Sequence, residues 1–380
     1  MRPVGIRGVG LQCALGADAE TCVSSLLTGG KPAIQVTLED LTEPATLTYR
    51  RIEDGAVLFD PQRFERLLPE VVRAALAEAG LTATECRDLP VFLGSSCFSI
   101  ALSEAGYAMA LAQDPAAAIS MPSAGYGYLA DLVRSAAGSE AASFTYNTAC
   151  TASANALLGA VRAMHIGRYR HALVVGAELA NRTTMSGFSG LQLLADRVRP
   201  FDAARSGIVL GEGISAVLLS AEPREGELLL RGGASNCDTF SVTTANPDGA
   251  SVAAALRQAL AVAGIEAKDV CGIRAHGTAT PSGDTAEALG LRRVFDAVPA
   301  LSVLKPYLGH TLGACGVNEL VLYAGALRRG VLPAAVEPFT PDPELGVGPL
   351  ARTATAPAGH YLLNHFGFGG NNTVLILERP

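Results

Sequence analysis

Hydrophobic positions follow two alternating patterns along the chain. Short runs rich in β-branched residues predict buried strands, and longer Ala- and Leu-rich segments with helical spacing predict helices. The predicted strands lie at 3–11, 90–95, 143–148, 171–177, 213–220, 227–233, 271–275, 300–304, 359–365 and 372–378. The predicted helices lie at 62–80, 123–137, 151–166, 249–264, 283–295 and 311–328. This alternation is typical of an α/β protein.

Two predicted helices, those following Cys150 and His310, are apolar around nearly their whole circumference. Such helices are buried on all sides, unlike amphipathic surface helices. Each follows a strand and a short loop in a different half of the chain. The pattern therefore predicts a duplicated α/β unit, with halves 1–223 and 224–380 that meet at the polar stretch 221–227 and share an interface.

Composition limits the possible class of protein. With 380 residues, 49% of them hydrophobic and 17% charged, the chain can bury a large core. Its longest uncharged stretch, between Glu140 and Arg162, contains several polar residues and does not resemble a membrane span. No long apolar region follows the basic residues at the start, so we expect a cytoplasmic protein.

Cysteine spacing and charge narrow the class further. Eight cysteines without a CxxC pair argue against a disulfide framework and against a metal site. A net charge of −7 without a Lys/Arg block disfavours nucleic-acid binding. No segment carries a dinucleotide fingerprint, and we expect no cofactor.

Residues 147–153 (NTACTAS) place Cys150 where a strand ends and an apolar helix begins. A helix N-terminus lowers the pKa of a thiol and favours the nucleophilic thiolate. This segment alone does not distinguish a nucleophile from a buried packing cysteine.

Two further segments place histidines beside turns. Residues 275–284 (AHGTATPSGD) put His276 at a strand end, where α/β proteins bind ligands, although a turn-capping histidine also fits. Residues 305–316 (KPYLGHTLGACG) put Lys305 and His310 at the entry to the second apolar helix. A lysine in an apolar setting requires a partner, and Glu319 is a candidate.

Residues 364–372 (NHFGFGGNN) form a glycine-rich turn before the last strand. Its glycines allow close approach to a ligand and expose N–H groups, as an oxyanion hole requires.

These four segments, in this order, resemble the elongating β-ketoacyl-acyl-carrier-protein synthases. The resemblance spans most of the chain and is weakest from about 30 to 90. It implies a thiolase-like fold of two duplicated α/β halves in five αβαβα layers. It also implies an acyltransferase that joins an acyl chain held on cysteine to a malonyl group, with loss of carbon dioxide, in fatty-acid or specialised polyketide or polyene synthesis.

The resemblance also assigns roles. Cys150 would carry the acyl chain, and His276 and His310 would bind the malonyl carbonyl, with Lys305 keeping His310 neutral and oriented. The N–H groups of Cys150 and Phe368 would form the oxyanion hole, and Phe368 would gate the acyl site. The residues expected around this site are Asp284, Glu287, Glu319 and Phe366. His365 departs from the serine that the family often has, and we expect a structural role for it.

The implied partners are acyl- and malonyl-carrier proteins and a second subunit, either identical or related, contacted through residues 97–127. A local arginine patch would meet the acidic carrier protein. A degradative thiolase fits poorly, since the last glycine-rich turn lacks cysteine, and chalcone-type synthases use asparagine where this chain has His310. The alternative from another class is a noncatalytic chain-length-determining subunit, although such partners usually lack the nucleophile.

Overall fold

The computed structural model describes residues 3–39, 44–113, 125, 127–336 and 339–380. In chain order the strands are β1 (Val4–Cys13), β2 (Ile34–Leu38), β3 (Ala45–Arg50), β4 (Val91–Gly94), β5 (Ser143–Tyr146), β6 (His171–Glu178), β7 (Leu210–Gly211), β8 (Gly213–Ser220), β9 (Leu229–Cys237), β10 (Val270–Arg274), β11 (Ala300–Ser302), β12 (Val331–Leu332), β13 (Ala354–Thr355), β14 (Gly359–Phe366) and β15 (Asn371–Arg379). The α-helices are α1 (Ala19–Leu27), α2 (Arg63–Ala79), α3 (Ala83–Arg87), α4 (Ile100–Gln113), α5 (Tyr128–Ala137), α6 (Ala152–His165), α7 (Arg182–Gly190), α8 (Ala250–Ala263), α9 (Pro281–Arg292), α10 (Lys305–Leu308) and α11 (Cys315–Arg328).

The ten predicted strands are confirmed, and together they form one sheet in the order β11-β10-β14-β15-β9-β1-β8-β6-β4-β5. The six predicted helices correspond to α2, α5, α6, α8, α9 and α11. Of the helix predicted at 123–137, residues 123, 124 and 126 lie outside the described residues. Long apolar runs therefore carried enough information to find the whole central sheet.

The two halves of this sheet repeat one topology. In the first half β1 pairs antiparallel with β8 and β8 antiparallel with β6, whereas β6 pairs parallel with β4 and β4 parallel with β5. In the second half β9 pairs antiparallel with β15 and β15 antiparallel with β14, whereas β14 pairs parallel with β10 and β10 parallel with β11. The two sets meet through two residue pairs between β1 and β9. The predicted duplication of an α/β unit is confirmed.

Helices α6 and α11 form the layer between the two strand sets. α6 packs on β4 and β6 of one set and on β9 and β15 of the other, and it also contacts α11. The helices approach closely, because a Cβ on Gly316 would lie 2.2 Å from the backbone N of Ala154. With α2 on one outer face and α8 on the other, the elements stack in five αβαβα layers. The prediction of two helices buried on all sides is confirmed for most of their length, with Arg162 and Arg328 exposed in their last turns.

The hydrophobic pattern missed a small sheet formed by β2, β3 and β7. Three of the five residues of β2 are exposed, and β7 has only two residues, so neither presents a long apolar run. Helices α1, α4 and α7 were also missed. Among the helices in the described part of the chain, none is long and apolar enough to cross a membrane.

Candidate active site

Cys150 lies in a sharp turn between β5 and α6. Ala149 has a φ of 51°, a left-handed conformation that residues with a side chain rarely adopt. The glycine-rich turn after β14 covers Cys150 closely, since a Cβ on Gly367 would lie 3.1 Å from the Cys150 backbone N. Two segments far apart in sequence thus enclose the thiol, which is 7% exposed.

His310 and His276 come from separate turns and meet beside this thiol. His310 Nε2 lies 3.1 Å from Cys150 Sγ, and the His310 backbone N–H donates to the Val209 carbonyl at 2.7 Å. The rings of His276 and His310 stand edge to face with their centroids 5.5 Å apart. The segments that the sequence singled out therefore converge on one point.

Lys305 contacts His276 and not His310. Its Nζ lies 3.3 Å from His276 Nδ1 and donates to the His276 carbonyl at 2.7 Å and to Glu319 at 2.8 Å. The expectation that Lys305 orients His310 is wrong, because α10 directs the ammonium at the other histidine. Burial and the Lys305 charge together hold the pKa of the His276 and His310 imidazoles well below the usual range, so the lysine still acts on both rings.

The expected lowering of the Cys150 pKa is also wrong. Burial raises the pKa of the Cys150 thiol to about 11, although the Lys305 charge and the Phe368 backbone N–H lower it in part. Removing a thiolate from water outweighs these favourable contacts. At neutral pH the thiol is protonated and faces the neutral His310 imidazole, which can accept its proton as the sulfur attacks.

We expect alkylation of Cys150 by iodoacetamide to rise with pH through the neutral range without reaching a plateau below about pH 10, because the reactive thiolate forms only as the buried thiol titrates. Peptide-level mass spectrometry measures this rate, and a Cys150→Ala variant identifies the peptide. A plateau near neutral pH would contradict the raised pKa.

Acidic side chains fix the backbone around His276. Glu287 accepts the N–H groups of His276 and Gly277, both at 2.9 Å, and Asp284 accepts those of Phe201 and Ala279. Burial raises the pKa of both carboxyls, that of Asp284 to about 7. The Phe366 ring stands 6.0 Å from the His276 ring, centroid to centroid. Glu287, Asp284 and Phe366 therefore lie around His276 and its turn.

Phe368 stacks on Phe188 of α7, with ring centroids 5.7 Å apart. Both rings, together with Cys150, His276 and His310, line one cleft. Other parts of its wall carry hydroxyl groups, from Ser241, Thr243, Thr244, Thr278, Thr280 and Ser282. The cleft thus joins a thiol and two imidazoles to a wall that carries hydrogen-bonding groups.

Sequence reasoning missed Glu178. This buried carboxylate accepts the N–H groups of Ser96, Cys97 and Gly313 at 2.9 to 3.0 Å, and thereby ties the loop after β4 to the turn that leads into α11. Its only signal was an acidic residue at the end of an apolar strand. The thiol of Cys315 donates to the Cys150 carbonyl at 2.9 Å.

His365 lies on the far side of Cys315 from Cys150. Its Nε2 is 2.6 Å from Arg274 Nη2, and donor atoms of His276, Cys315 and His365 come within 4.8 Å of one another. This donor set fits a metal cation poorly, because the Arg274 guanidinium contacts His365 and the Lys305 ammonium contacts His276. A metal cation at the same place would be repelled by these two positive charges.

The fold and site define a class: thiolase-like proteins with a cysteine and two histidines at the junction of duplicated halves. The sequence matches the family Beta-ketoacyl synthase, N-terminal domain, over residues 1–224 and Beta-ketoacyl synthase, C-terminal domain, over residues 229–337. The chain belongs to the β-ketoacyl synthase family.

Individual relatives agree with this assignment. The chain is 27% identical over 409 residues to 3-oxoacyl-[acyl-carrier-protein] synthase 2 of Vibrio harveyi, covering 100% of this chain and 99% of the relative. A β-ketoacyl synthase from Burkholderia phymatum has a TM-score of 0.85 and 26% identity, with full coverage of both chains. A complex of the ketosynthase ApeO with its chain length factor ApeC from Xenorhabdus doucetiae has a TM-score of 0.83 and 26% identity, covering 100% of this chain and 98% of the other.

Proposed function

We propose that this protein is a β-ketoacyl synthase that condenses an acyl thioester with a malonyl thioester, with loss of carbon dioxide. The observation that carries the proposal is the 3.1 Å contact between Cys150 Sγ and His310 Nε2, with His276 beside them. A thiol, a neutral base and a second imidazole provide for acyl transfer and for stabilisation of an enolate.

In the first half-reaction the Cys150 sulfur attacks the acyl carbonyl while His310 accepts the thiol proton. The backbone N–H groups of Cys150 and Phe368 stabilise the tetrahedral oxyanion; both already act on the sulfur, where they lower the thiol pKa. The carrier thiolate leaves and takes the proton from His310. The acyl chain then stands on Cys150 as a thioester.

In the second half-reaction a malonyl thioester binds at the two imidazoles. Lys305 donates toward His276 Nδ1, so the neutral His276 ring carries its proton on Nε2 and donates it to the malonyl carbonyl. Once Cys150 is acylated, the neutral His310 ring adds a second donor in the tautomer that carries its proton on Nε2, the nitrogen that faced the sulfur. Carbon dioxide leaves, the enolate carbon attacks the acyl carbonyl, and Cys150 departs as a thiolate that regains a proton.

The acyl donor and malonyl donor are proposed to arrive on carrier proteins. The hydroxyl-bearing wall of the cleft suits a long arm that contains amide groups. The arginine patch that would meet an acidic carrier stays a prediction. We also propose a cytoplasmic location, where thiols stay reduced and Cys150 remains free.

We propose that the active unit is a dimer. Helix α4 exposes apolar side chains, with Tyr107 at 44%, Met109 at 62% and Leu111 at 36%, and these suit burial against a second subunit. Most of the remaining segment predicted at the interface, 114–124 and 126, lies outside the described residues.

The halves 1–223 and 224–380 likewise stay a prediction as domain boundaries.

The second candidate is a noncatalytic chain-length-determining subunit. It is supported by the structural match to a complex of a ketosynthase with its chain length factor. The assembled Cys150, His310 and His276 favour catalysis instead, because a shaping subunit needs no nucleophile held against a base.

His276→Ala is expected to slow release of labelled carbon dioxide from malonyl-carrier protein about 10²- to 10³-fold, the effect of losing one positioned donor. Its effect on acyl loading of Cys150 should be small, since His310 is the residue that contacts the sulfur. His310→Ala should slow both steps. Equal losses in both steps for His276→Ala would contradict the division of roles.

A further inference from the structure

Arg274 is a buried cation that the mechanism above does not use. It is the last residue of β10, two positions before His276, and its side chain is fully buried. Its Nη1 donates to Glu319 Oε2 at 2.8 Å and to the Ala275 carbonyl at 3.1 Å. Glu319 therefore holds Lys305 with one oxygen and Arg274 with the other.

This cluster carries one net positive charge, since two cations share one carboxylate. A buried charge needs a hydrogen-bonding partner, and the second side of the guanidinium has one in His365, whose Nε2 lies 2.6 Å from Arg274 Nη2. Burial and the Arg274 charge hold the pKa of His365 well below its usual range, so the ring is neutral and accepts at Nε2.

His365 also contacts the residues beside the nucleophile. Its Nδ1 lies 3.1 Å from Arg274 Nη2 and 3.9 Å from Cys315 Sγ. The Cys315 thiol donates in turn to the Cys150 carbonyl at 2.9 Å. From Arg274, one branch of polar contacts thus runs to Cys150, and another runs through Glu319 and Lys305 to His276.

We propose that Arg274 and His365 are positioning residues for the malonyl half-reaction, in which they fix the Glu319 carboxylate and the Lys305 ammonium against His276. This inference rests on the proposed function. It gives a purpose to the residue that departs from the family pattern: a neutral imidazole at 365 accepts from the guanidinium and so allows a second cation to be buried beside the site.

The pH dependence of decarboxylation should reveal this role. Arg274 is one of the positive charges that lower the pKa of His276, and removing it lets the ring protonate at higher pH. Protonation at Nδ1 would replace the acceptor that faces Lys305 with a donor and break their contact. The other titratable groups around His276 come from every neighbouring element: Cys150, Glu287, Lys305, His310, Cys315, Glu319 and His365.

The experiment measures labelled carbon dioxide release from malonyl-carrier protein as a function of pH, together with the rate of acyl loading on Cys150. For Arg274→Gln the acid limb of decarboxylation should move up by about one pH unit, which lowers the rate on the acidic side about tenfold. Acyl loading should change less than about threefold, because His310 and not His276 contacts the sulfur.

His365→Asn and His365→Leu form a matched pair of similar size. Asparagine keeps an acceptor for Arg274 and should leave decarboxylation near the rate of the unaltered protein. Leucine removes the acceptor and should loosen the contacts of Glu319 and Lys305, so it should slow decarboxylation more than acyl loading. Should Arg274→Gln fail to fold, the comparison of these two variants decides the question.

The inference is overturned if the limb stays in place in folded Arg274→Gln, if His365→Leu and His365→Asn decarboxylate equally fast, or if both half-reactions fall equally without a shift. Failure of the proposed function looks different, since the unaltered protein would then release no carbon dioxide and load no acyl chain.

Discussion

A Cys150→Ala variant is expected to lose condensation by a factor of at least about 10⁴, because removal of a covalent nucleophile leaves only binding and the oxyanion donors. The assay follows formation of the β-ketoacyl product from acyl- and malonyl-carrier proteins. No other described thiol takes the place of Cys150, since His310 Nε2 lies 3.1 Å from this sulfur and the turn after β14 closes over it.

The control for this variant is Cys86→Ala, which removes a half-buried thiol from α3, remote from the cleft, and should retain full activity. Alanine at 150 adds no bulk to the enclosed turn, so the variant should stay folded. Condensation that survives in folded Cys150→Ala would show that another group carries the acyl chain.

A Glu319→Gln variant is expected to lose about 3–5 kcal/mol of stability, the range for breaking a buried ion pair at one partner. Glu319 is fully buried between the Arg274 guanidinium and the Lys305 ammonium, each 2.8 Å from one of its oxygens. Glutamine keeps the shape but leaves two cations without a countercharge. For a chain of this length the loss corresponds to a fall of roughly 5 °C in the thermal unfolding midpoint.

Glu140→Gln is the matched control, because Glu140 forms an exposed ion pair with Arg87 at 3.8 Å. Exposed pairs contribute little, so its midpoint should stay within about 1 °C of the unaltered protein. Differential scanning calorimetry compares the two variants. Equal midpoints for both would mean that the buried cluster tolerates loss of its carboxylate.

Most strands of the central sheet could be predicted from the sequence because they are buried on both faces; the exception is the edge strand β5, in which two of four residues are exposed. β6 and β8, with all eight residues of each buried, appear as continuous apolar runs. Strand β2 has three exposed residues out of five and β7 has only two residues, so neither gives such a run. Both strands form by pairing with β3. The local hydrophobic pattern therefore predicts strands that are buried in the core, whereas short or exposed strands depend on pairing with residues distant in sequence.

The site residues could be predicted because each stands in a motif at a strand end, but their contacts could not. Lys305 and His310 are close in sequence, yet α10 turns the lysine toward His276. Whether the pKa of the Cys150 thiol is raised or lowered depends on how completely the turn after β14 buries the sulfur, and no single segment of the sequence reveals this. Glu178 is far in sequence from the turn that it holds, and Arg274 directly precedes a motif, but the contacts of both arise only on folding.

Intact-protein mass spectrometry of the purified protein, first with an acyl-carrier protein and then with malonyl-carrier protein, shows whether Cys150 carries an acyl chain for condensation. We predict an acyl adduct on Cys150, absent from Cys150→Ala, that disappears on addition of malonyl-carrier protein as a β-ketoacyl product two carbons longer is formed. A folded sample that takes up no acyl chain of any length would contradict catalysis by Cys150 and favour the noncatalytic subunit.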